Sequence, residues 1–158
     1  MPRSTKKVKY KLGAIVAVPL PDGRFAYARV HKNLALAVFD FVSEKIVPVA
    51  DVLKHNVAFF QSATDEPITS GEWPIIGEKV FPDEEGAWGP PRAVVFPPGA
   101  PLDSADLKIS DKGVLRRATP AEVKGLDFAR LAQTSELFVD ILVDRLIHGK
   151  HDEYRVKP

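Results

Sequence analysis

The strongest constraint on the fold is the stretch from Lys11 to Phe41, whose side-chain pattern predicts three successive antiparallel strands. The first, residues 14–18, is an apolar run. The second, residues 24–31, alternates aromatic or basic side chains with small apolar ones, which is typical of a half-buried strand. The loop between them, residues 19–23, contains Pro, Asp and Gly and favours a tight hairpin. A third strand over 34–41 completes a predicted β-meander.

Shorter elements are predicted after the meander. A short helix is expected after Pro48, because proline is favoured in the first turn of a helix. Two further strands are predicted at 57–61 and 73–77. The sequence Asp-Lys-Gly between two short alternating runs predicts a hairpin over 107–117.

Residues 81–101 differ in character from the rest of the chain. They are too rich in Pro and Gly to form a helix, yet too apolar to be a plain flexible linker. We therefore expect a long ordered loop around a strand at Arg92–Phe96, and ordered loops of this length are often functional. For the two tryptophans, we expect Trp73 to lie in the core, whereas Trp88 fits a core position and an interface position equally well.

The C-terminal third is predicted to be helical. Thr119 is followed by Pro at the first helical position and by Glu three residues later, which indicates a capping box. A second helix is predicted over 135–148, starting at Thr134 or Ser135 and ending at Gly149. Its Leu, Phe and Ile side chains form a broad apolar face, wide enough to lie across a sheet.

These elements predict an α+β protein. We expect a strongly bent antiparallel β-sheet or a partly open barrel, built on residues 12–96, with the C-terminal amphipathic helix packed on it. Residues 12–158 are expected to form a single domain, because 158 residues suffice for one hydrophobic core. Residues 1–11 carry five basic side chains and no acidic one, and are expected to be a flexible basic arm.

The composition narrows the classes of function. The chain has no cysteine, so disulfides and thiolate chemistry are excluded. No apolar run approaches the roughly 20 residues of a membrane span, and the N-terminus lacks the apolar segment of a signal peptide. We therefore expect a cytoplasmic protein. The formal net charge is only +1, but acidic residues concentrate in the segment 65–85, where an acidic patch could meet a basic partner.

No motif of catalysis or metal binding stands out. The chain lacks a phosphate-binding Gly-rich loop, a G-x-S-x-G motif and an H-E-x-x-H motif. His148 and His151 have no carboxylate or cysteine at a spacing that would complete a metal site. Acidic residues such as Asp140 and Asp144 follow the spacing of a solvated helix stripe. We expect no cofactor, no metal and no enzymatic activity.

The order of the motifs resembles that of a known family. Gly13–Val30 is similar to the opening hairpin of the immunity protein 26 family, and Leu36–Asp40 resembles the strand that follows it. Ser70–Gly77 matches a Ser-Gly-x-Trp-x-x-Ile-Gly pattern of the family, and Ala118–Leu126 is similar to a later segment. Ala14 stands where the family usually has Asp.

The resemblance implies an antidote. Proteins of this family are small binders encoded beside polymorphic toxins of interbacterial competition, and they protect the producer by binding the cognate toxin domain. An acidic surface facing a cationic toxin would speed their association. By position, we expect partner contacts from a set of acidic, aromatic and basic residues in and near the long loop: Glu72, Asp83, Glu84, Glu85, Trp88 and Arg92.

Two other classes of function stay open at this point. A small β-domain with a basic arm could bind nucleic acid or another ligand, although its aromatic residues are not interleaved with a dense basic run. An enzyme could also assemble its site from scattered residues of the meander, and the first candidates are Tyr27, Arg29, His31 and Asp40. The toxin's identity and the oligomeric state do not follow from the sequence.

Overall fold

The computed structural model describes residues 8–158. Most of the predicted basic arm, residues 1–7, lies outside the described residues. At the start of the described range, the Val8 backbone N–H donates to the Thr69 carbonyl at 2.8 Å. Lys11 forms an ion pair of 2.8 Å with Glu78. Residues 8–11 therefore follow the surface of the folded chain.

The predicted meander is the centre of the main sheet. Its strands, with two later ones, are β1 (Ala14–Pro19), β2 (Phe25–Val30), β3 (Ala35–Ser43), β4 (Val57–Ala63) and β5 (Ile75–Glu78). A two-residue strand, β9 (Leu131–Ala132), completes an open six-stranded sheet in the order β5-β1-β2-β3-β4-β9. All neighbours are antiparallel except β4 and β9. The prediction of a meander flanked by further strands is confirmed.

Both faces of the main sheet are buried, which differs from the half-buried strand expected for 24–31. Ala26, Ala28 and Val30 belong to the larger core cluster, together with Trp73 and apolar residues of the C-terminal helix. Tyr27 on the opposite face is fully buried in a second cluster under the short helix α1 (Val49–Val52). The sequence pattern did not indicate this second cover, because it comes from a helix of only four residues.

A second, three-stranded sheet contains the later strands. It consists of β6 (Arg92–Phe96), β7 (Asp106–Asp111) and β8 (Val114–Arg117), in the order β6-β7-β8. The expectation of one sheet over 12–96 is therefore wrong for its last segment. Strand β6 pairs over its whole length with the nearby hairpin, from Arg92 opposite Ser110 to Phe96 opposite Asp106. Pairing with a neighbour close in sequence closes a short loop and costs little chain entropy.

The two C-terminal helices begin where the sequence predicts, whereas a short helix at Glu66–Thr69 was not predicted. Helix α3 (Pro120–Val123) has a capping box, in which Thr119 and Glu122 bond each other's backbone N–H groups. Helix α4 (Ser135–Leu142) is capped by Thr134, whose hydroxyl accepts from the Leu137 N–H at 3.1 Å. Short helix α2 (Glu66–Thr69) precedes Trp73, which is buried as expected.

The predicted helix 135–148 is not α-helical to its end. After Leu142 it continues as a π-turn, Val143–Ile147, in which the His148 N–H donates to the Val143 carbonyl at 3.1 Å. Such wide turns often occur at functional sites. Phe138, Ile141 and Leu142 face the main sheet, so the predicted packing of the helix is confirmed. Among the helices of residues 8–158, none is both long and apolar enough to cross a membrane.

One segment connects the two sheets. At its start, the backbone of Phe128 forms a parallel bridge with Ala93 of β6. Three residues later, β9 pairs in parallel with β4, with Leu131 opposite Ser62. Residues 127–132 therefore cross from the second sheet to the main sheet. The space between the two sheets at this crossing is one of the two candidate sites described next.

Candidate functional site

The structure brings together four of the six residues predicted to contact a partner. Trp88 and Arg92 line a shallow notch together with Lys32 and Lys112, and Glu84 and Glu85 form ion pairs with these two lysines. We call these six residues the loop face. The notch lies between the turn that joins β2 to β3, the loop after β5, and the turn that joins β7 to β8.

The other two predicted contact residues have different roles. Glu72 is exposed beside a separate shallow groove, formed by the β1–β2 loop and the start of α4. Asp83 is exposed next to the loop face, and its Oδ1 accepts from the Gly86 backbone N–H at 2.8 Å. Asp83 therefore shapes the turn that presents Glu84 and Glu85.

The acidic residues of the loop face are paired with lysines. Glu84 lies 3.3 Å from Lys32, and Glu85 forms an ion pair with Lys112. The Lys32 ammonium also lies 5.1 Å from the centroid of the Trp88 ring. Exposed ion pairs of this kind stabilise a fold only weakly. The face consequently presents alternating charges rather than the uniformly acidic patch that the sequence suggested.

The two larger side chains of the loop face are less exposed than its acids. Trp88 is half-buried, and an added Cβ at Gly113 would lie 3.3 Å from its ring. Arg92 is buried, and among residues 8–158 its Nη1 has no hydrogen-bond partner. Burial lowers the pKa of Arg92, while the charge of Asp127 acts in the opposite direction. Trp88 can offer contact area to a partner, whereas Arg92 can offer little.

A buried histidine packs against the loop that follows β5. His31 is buried, and its ring packs edge-on against Phe60 and Phe81, with centroids 4.9 and 4.6 Å away. Burial, helped by the nearby positive charge of Arg29, lowers the pKa of His31 to about 4, although backbone groups of the loop act in the opposite direction. The imidazole is therefore neutral at pH 7 and packs as an aromatic side chain.

The residues considered for a scattered enzyme site have separate partners. The hydroxyl of Tyr27 lies 2.7 Å from the Ser43 hydroxyl and 3.3 Å from the Lys45 carbonyl. Arg29 stacks over the Phe81 ring at 3.7 Å and donates to the Lys79 carbonyl. Asp40 is exposed. Within residues 8–158 no hydrogen bond links these side chains to one another or to His31, and the geometry indicates no acid–base pair.

Sequence reasoning missed a larger cleft on another side of the molecule. It has a volume of about 620 Å³ and lies between β6, the segment 128–130 and the C-terminal residues. Its walls are mostly apolar, with five side chains that carry polar or charged groups and that the sequence did not single out: Gln61, Arg130, Arg145, Glu153 and Tyr154. Pockets that bind ligands commonly have this size and this mixture of groups.

Arg145 is the central buried charge beside this cleft. Its Nη1 donates to Asp127 Oδ2 at 3.0 Å, and its Nε donates to His151 Nδ1 at 3.1 Å. The guanidinium also lies 4.1 Å from the centroid of the Phe59 ring. Its pairing with Asp127 links residues 18 positions apart, at a spacing that no local pattern predicts.

Neighbouring polar groups of the cleft are also fixed. Gln61 is buried, and its Nε2 donates to the Ser62 and Arg130 carbonyls at 3.0 and 2.6 Å. The Tyr154 hydroxyl donates to Asp144 Oδ2 at 2.6 Å. Burial and this negatively charged acceptor together raise the pKa of Tyr154 to about 12. The cleft is therefore preformed. Within the described range, no group of three or more His, Cys, Asp or Glu residues could hold a metal ion.

Comparison with known proteins gives one match. A family model described as Immunity protein 26 matches residues 11–92. The match includes the main sheet from β1 to β5 and the loop that follows, and it ends at the first residue of β6. No curated protein and no solved structure is significantly similar to the chain. The predicted motifs at 13–30 and 70–77 lie within the matched range, whereas the motif at 118–126 lies outside it.

Proposed function

The chain belongs to the immunity protein 26 family, and we propose that it binds a cognate bacterial toxin domain and neutralises it by blocking the active site or the access of substrate. The family match over residues 11–92 is the observation that carries this proposal. It implies a binding partner rather than a substrate, so we infer a role without catalysis. The protein would act in the cytoplasm of the cell that produces the toxin.

We propose the loop face, with Asp83 beside it, as the surface that meets the toxin. Its carboxylates are exposed, and Trp88 is half-buried, as expected of an interface anchor that is also held in place. The loop is supported by His31 and by the ion pairs to Lys32 and Lys112. A loop that is already ordered loses little conformational entropy on binding, which favours affinity. Glu72 lies apart from this surface and would contact only a toxin that extends to the β1–β2 loop.

The neutralising role can be tested directly by co-expression. The chain would be produced together with the toxin domain encoded by the neighbouring reading frame, and bacterial growth and co-purification would be scored. We expect restored growth and a stoichiometric complex. A toxin that stays lethal and does not co-purify with the chain would contradict the proposed function.

The contribution of the loop face can be tested by charge reversal. Replacing Asp83, Glu84 and Glu85 with Lys turns two attractive ion pairs into repulsive ones and makes the face strongly positive. For a cationic toxin, we expect association to slow by about tenfold at low salt, because steering depends on charge near the interface. Stopped-flow association kinetics at two salt concentrations would measure the change.

A matched control separates local from overall charge. Glu44, Asp103 and Asp140 are exposed acids in other parts of the fold, and replacing them with Lys changes the net charge by the same amount. We expect this variant to associate at nearly the rate of the original protein. Equal slowing in both variants would mean that net charge, and not the loop face, governs the encounter.

A further inference from the structure

The outer edge of β6 is only partly covered. The Ala93 backbone N–H donates to the Asp127 carbonyl at 2.9 Å, and the Ala93 carbonyl accepts from the Ala129 N–H at 2.8 Å. Alternate residues of an antiparallel strand direct their backbone groups to the same side. The N–H and C=O of Val95 therefore point to this outer edge too, where they have no backbone partner within the described part of the chain.

The segment that pairs with this edge, residues 127–129, leaves it where the cleft begins. After Ala129 the chain turns away from β6 and pairs with β4 at Leu131. The resulting fork encloses the cleft of about 620 Å³. Along the first half of the β6 edge, at Ala93, residues 127–129 already lie as an extended parallel segment. Along the second half, at Val95, the same backbone groups are present, but no such segment pairs with them within the described residues.

The walls of the cleft fit a peptide better than a purely apolar ligand. Gln61 lines the cleft and is 4% exposed, and its amide nitrogen already donates to two carbonyls. Its carbonyl oxygen Oε1 receives no hydrogen bond from residues 8–158. Val94 and Phe96 provide apolar surface along the cleft wall, and Phe96 is 65% exposed at the rim. The cleft thus presents three features together: a backbone donor and acceptor at Val95, the side-chain acceptor of Gln61, and an apolar wall.

We propose that this cleft binds an extended segment of the toxin, which pairs with the backbone of Val95 and places an apolar side chain against Val94 and Phe96. The added segment would continue the ladder that residues 127–129 begin, which is the mode of recognition called β-strand addition. This inference rests on the proposed function and assigns a second contact region to it. The loop face would steer the encounter, and the cleft would hold the complex together.

Proline at Val95 tests the pairing. Val95→Pro removes the N–H that points to the open edge, while the hydrogen bonds between β6 and β7 use the alternate residues. A matched control exists on the other edge of the same sheet. The Ala118 N–H donates to Leu107, so Leu115 directs its N–H away from β7, and Leu115→Pro removes an equivalent outward donor.

We expect Val95→Pro to weaken the complex with the toxin domain by at least tenfold and Leu115→Pro to leave it unchanged, as measured by calorimetric titration. Because the Val95 side chain also packs against buried residues of the second sheet, among them Leu107 and Ile109, a second measurement uses the unaltered protein. Hydrogen exchange of the Val95 amide should slow by at least tenfold when the toxin domain is bound.

The outcomes separate the two proposals. If the unaltered protein neutralises the toxin but the Val95 amide exchanges equally fast in the complex, the cleft inference is wrong and the proposed function stands. If the unaltered protein neither binds nor neutralises the toxin, both fail. If the protein alone dimerises, as judged by sedimentation, and Val95→Pro abolishes the dimer, the occupant is a second copy of the chain and the inference is overturned.

Discussion

The two sheets of this molecule use their surfaces in opposite ways. The main sheet is covered on both faces, by α4 on one and by α1 on the other, and the middle of its strands is fully buried. In the second sheet, every residue of β8 is exposed, and Val114 and Leu115 are 64% and 59% exposed. A sheet that hides its apolar residues stabilises the fold, whereas a less covered sheet with an open edge at β6 can add a further strand from another molecule.

The limit of the family match follows the same division. The matched residues 11–92 include the buried main sheet, from β1 to β5, and end where the second sheet begins. The match therefore covers the sheet that is buried on both faces and ends where the less covered sheet begins. Both proposed contact regions lie where the two sheets meet: the loop face at the end of the match and the cleft beside β6.

The largest effect should come from truncating the core of the main sheet. Trp73 is 1% exposed and its ring centroid lies 4.7 Å from that of Phe138. Trp73→Ala should reduce the free energy of unfolding by about 3 to 5 kcal/mol, because it leaves a large cavity. Leu115→Ala in the second sheet should change it by less than about 0.5 kcal/mol. Urea denaturation of both variants measures the contrast, and similar losses would refute the division between the sheets.

A smaller loss of stability is expected at the Asp127–Arg145 ion pair, which joins the segment beside β6 to the C-terminal helix. Asp127 follows α3 and accepts a hydrogen bond from Arg145, whose side chain is only 1% exposed. Asp127→Ala should reduce the free energy of unfolding by about 2 to 4 kcal/mol, because a buried guanidinium loses its carboxylate. The double variant Asp127→Ala with Arg145→Met should lose less than the sum of the single changes. Strict additivity in this double-mutant cycle would mean that the pair does not couple the regions.

Features that depend on neighbouring residues could be predicted from the sequence. The meander, the hairpin turn at Lys112-Gly113 and the caps at Thr119 and Thr134 each arise from a few consecutive residues. Their backbone conformations follow from local sterics and local hydrogen bonds, which a single sequence displays. Burial of Trp73 was also predicted, since a large apolar side chain between short elements has few other places to pack.

Features that depend on distant residues could not be predicted. The second cover of the main sheet, the pairing of β6 with β7 and the Arg145–Asp127 ion pair all join segments whose approach is decided by the whole fold. The candidate site divides in the same way. The exposure of Glu84 and Glu85 was foreseeable from their loop, but their pairing with Lys32 and Lys112 was not. The cleft had no sequence signal, because it is assembled from β6, the segment 128–130 and the C-terminal residues, which are distant in sequence.

The smallest expected effect is a pH dependence of stability at His31, which follows β2 and packs against Phe81 in the loop after β5. Its pKa in the folded protein is about 4, and its ordinary value is 6.5. Between these values the unfolded chain binds a proton that the folded protein does not, so stability is lost as the pH falls from 6.5 towards 4. We expect a loss on the order of 2 kcal/mol.

The variant His31→Phe should remove this part of the pH dependence, because a phenyl ring can keep the contacts with Phe60 and Phe81 without binding a proton. His151, whose pKa is also lowered by burial, still contributes in the same direction, so the slope should decrease rather than vanish. His55→Phe, which alters an exposed histidine stacked on Phe41, is the control. Thermal unfolding between pH 7 and 4.5 measures all three proteins. If His31→Phe and the original protein lose stability in parallel, the loop is not supported by a neutral imidazole, and its order must come from the exposed ion pairs instead.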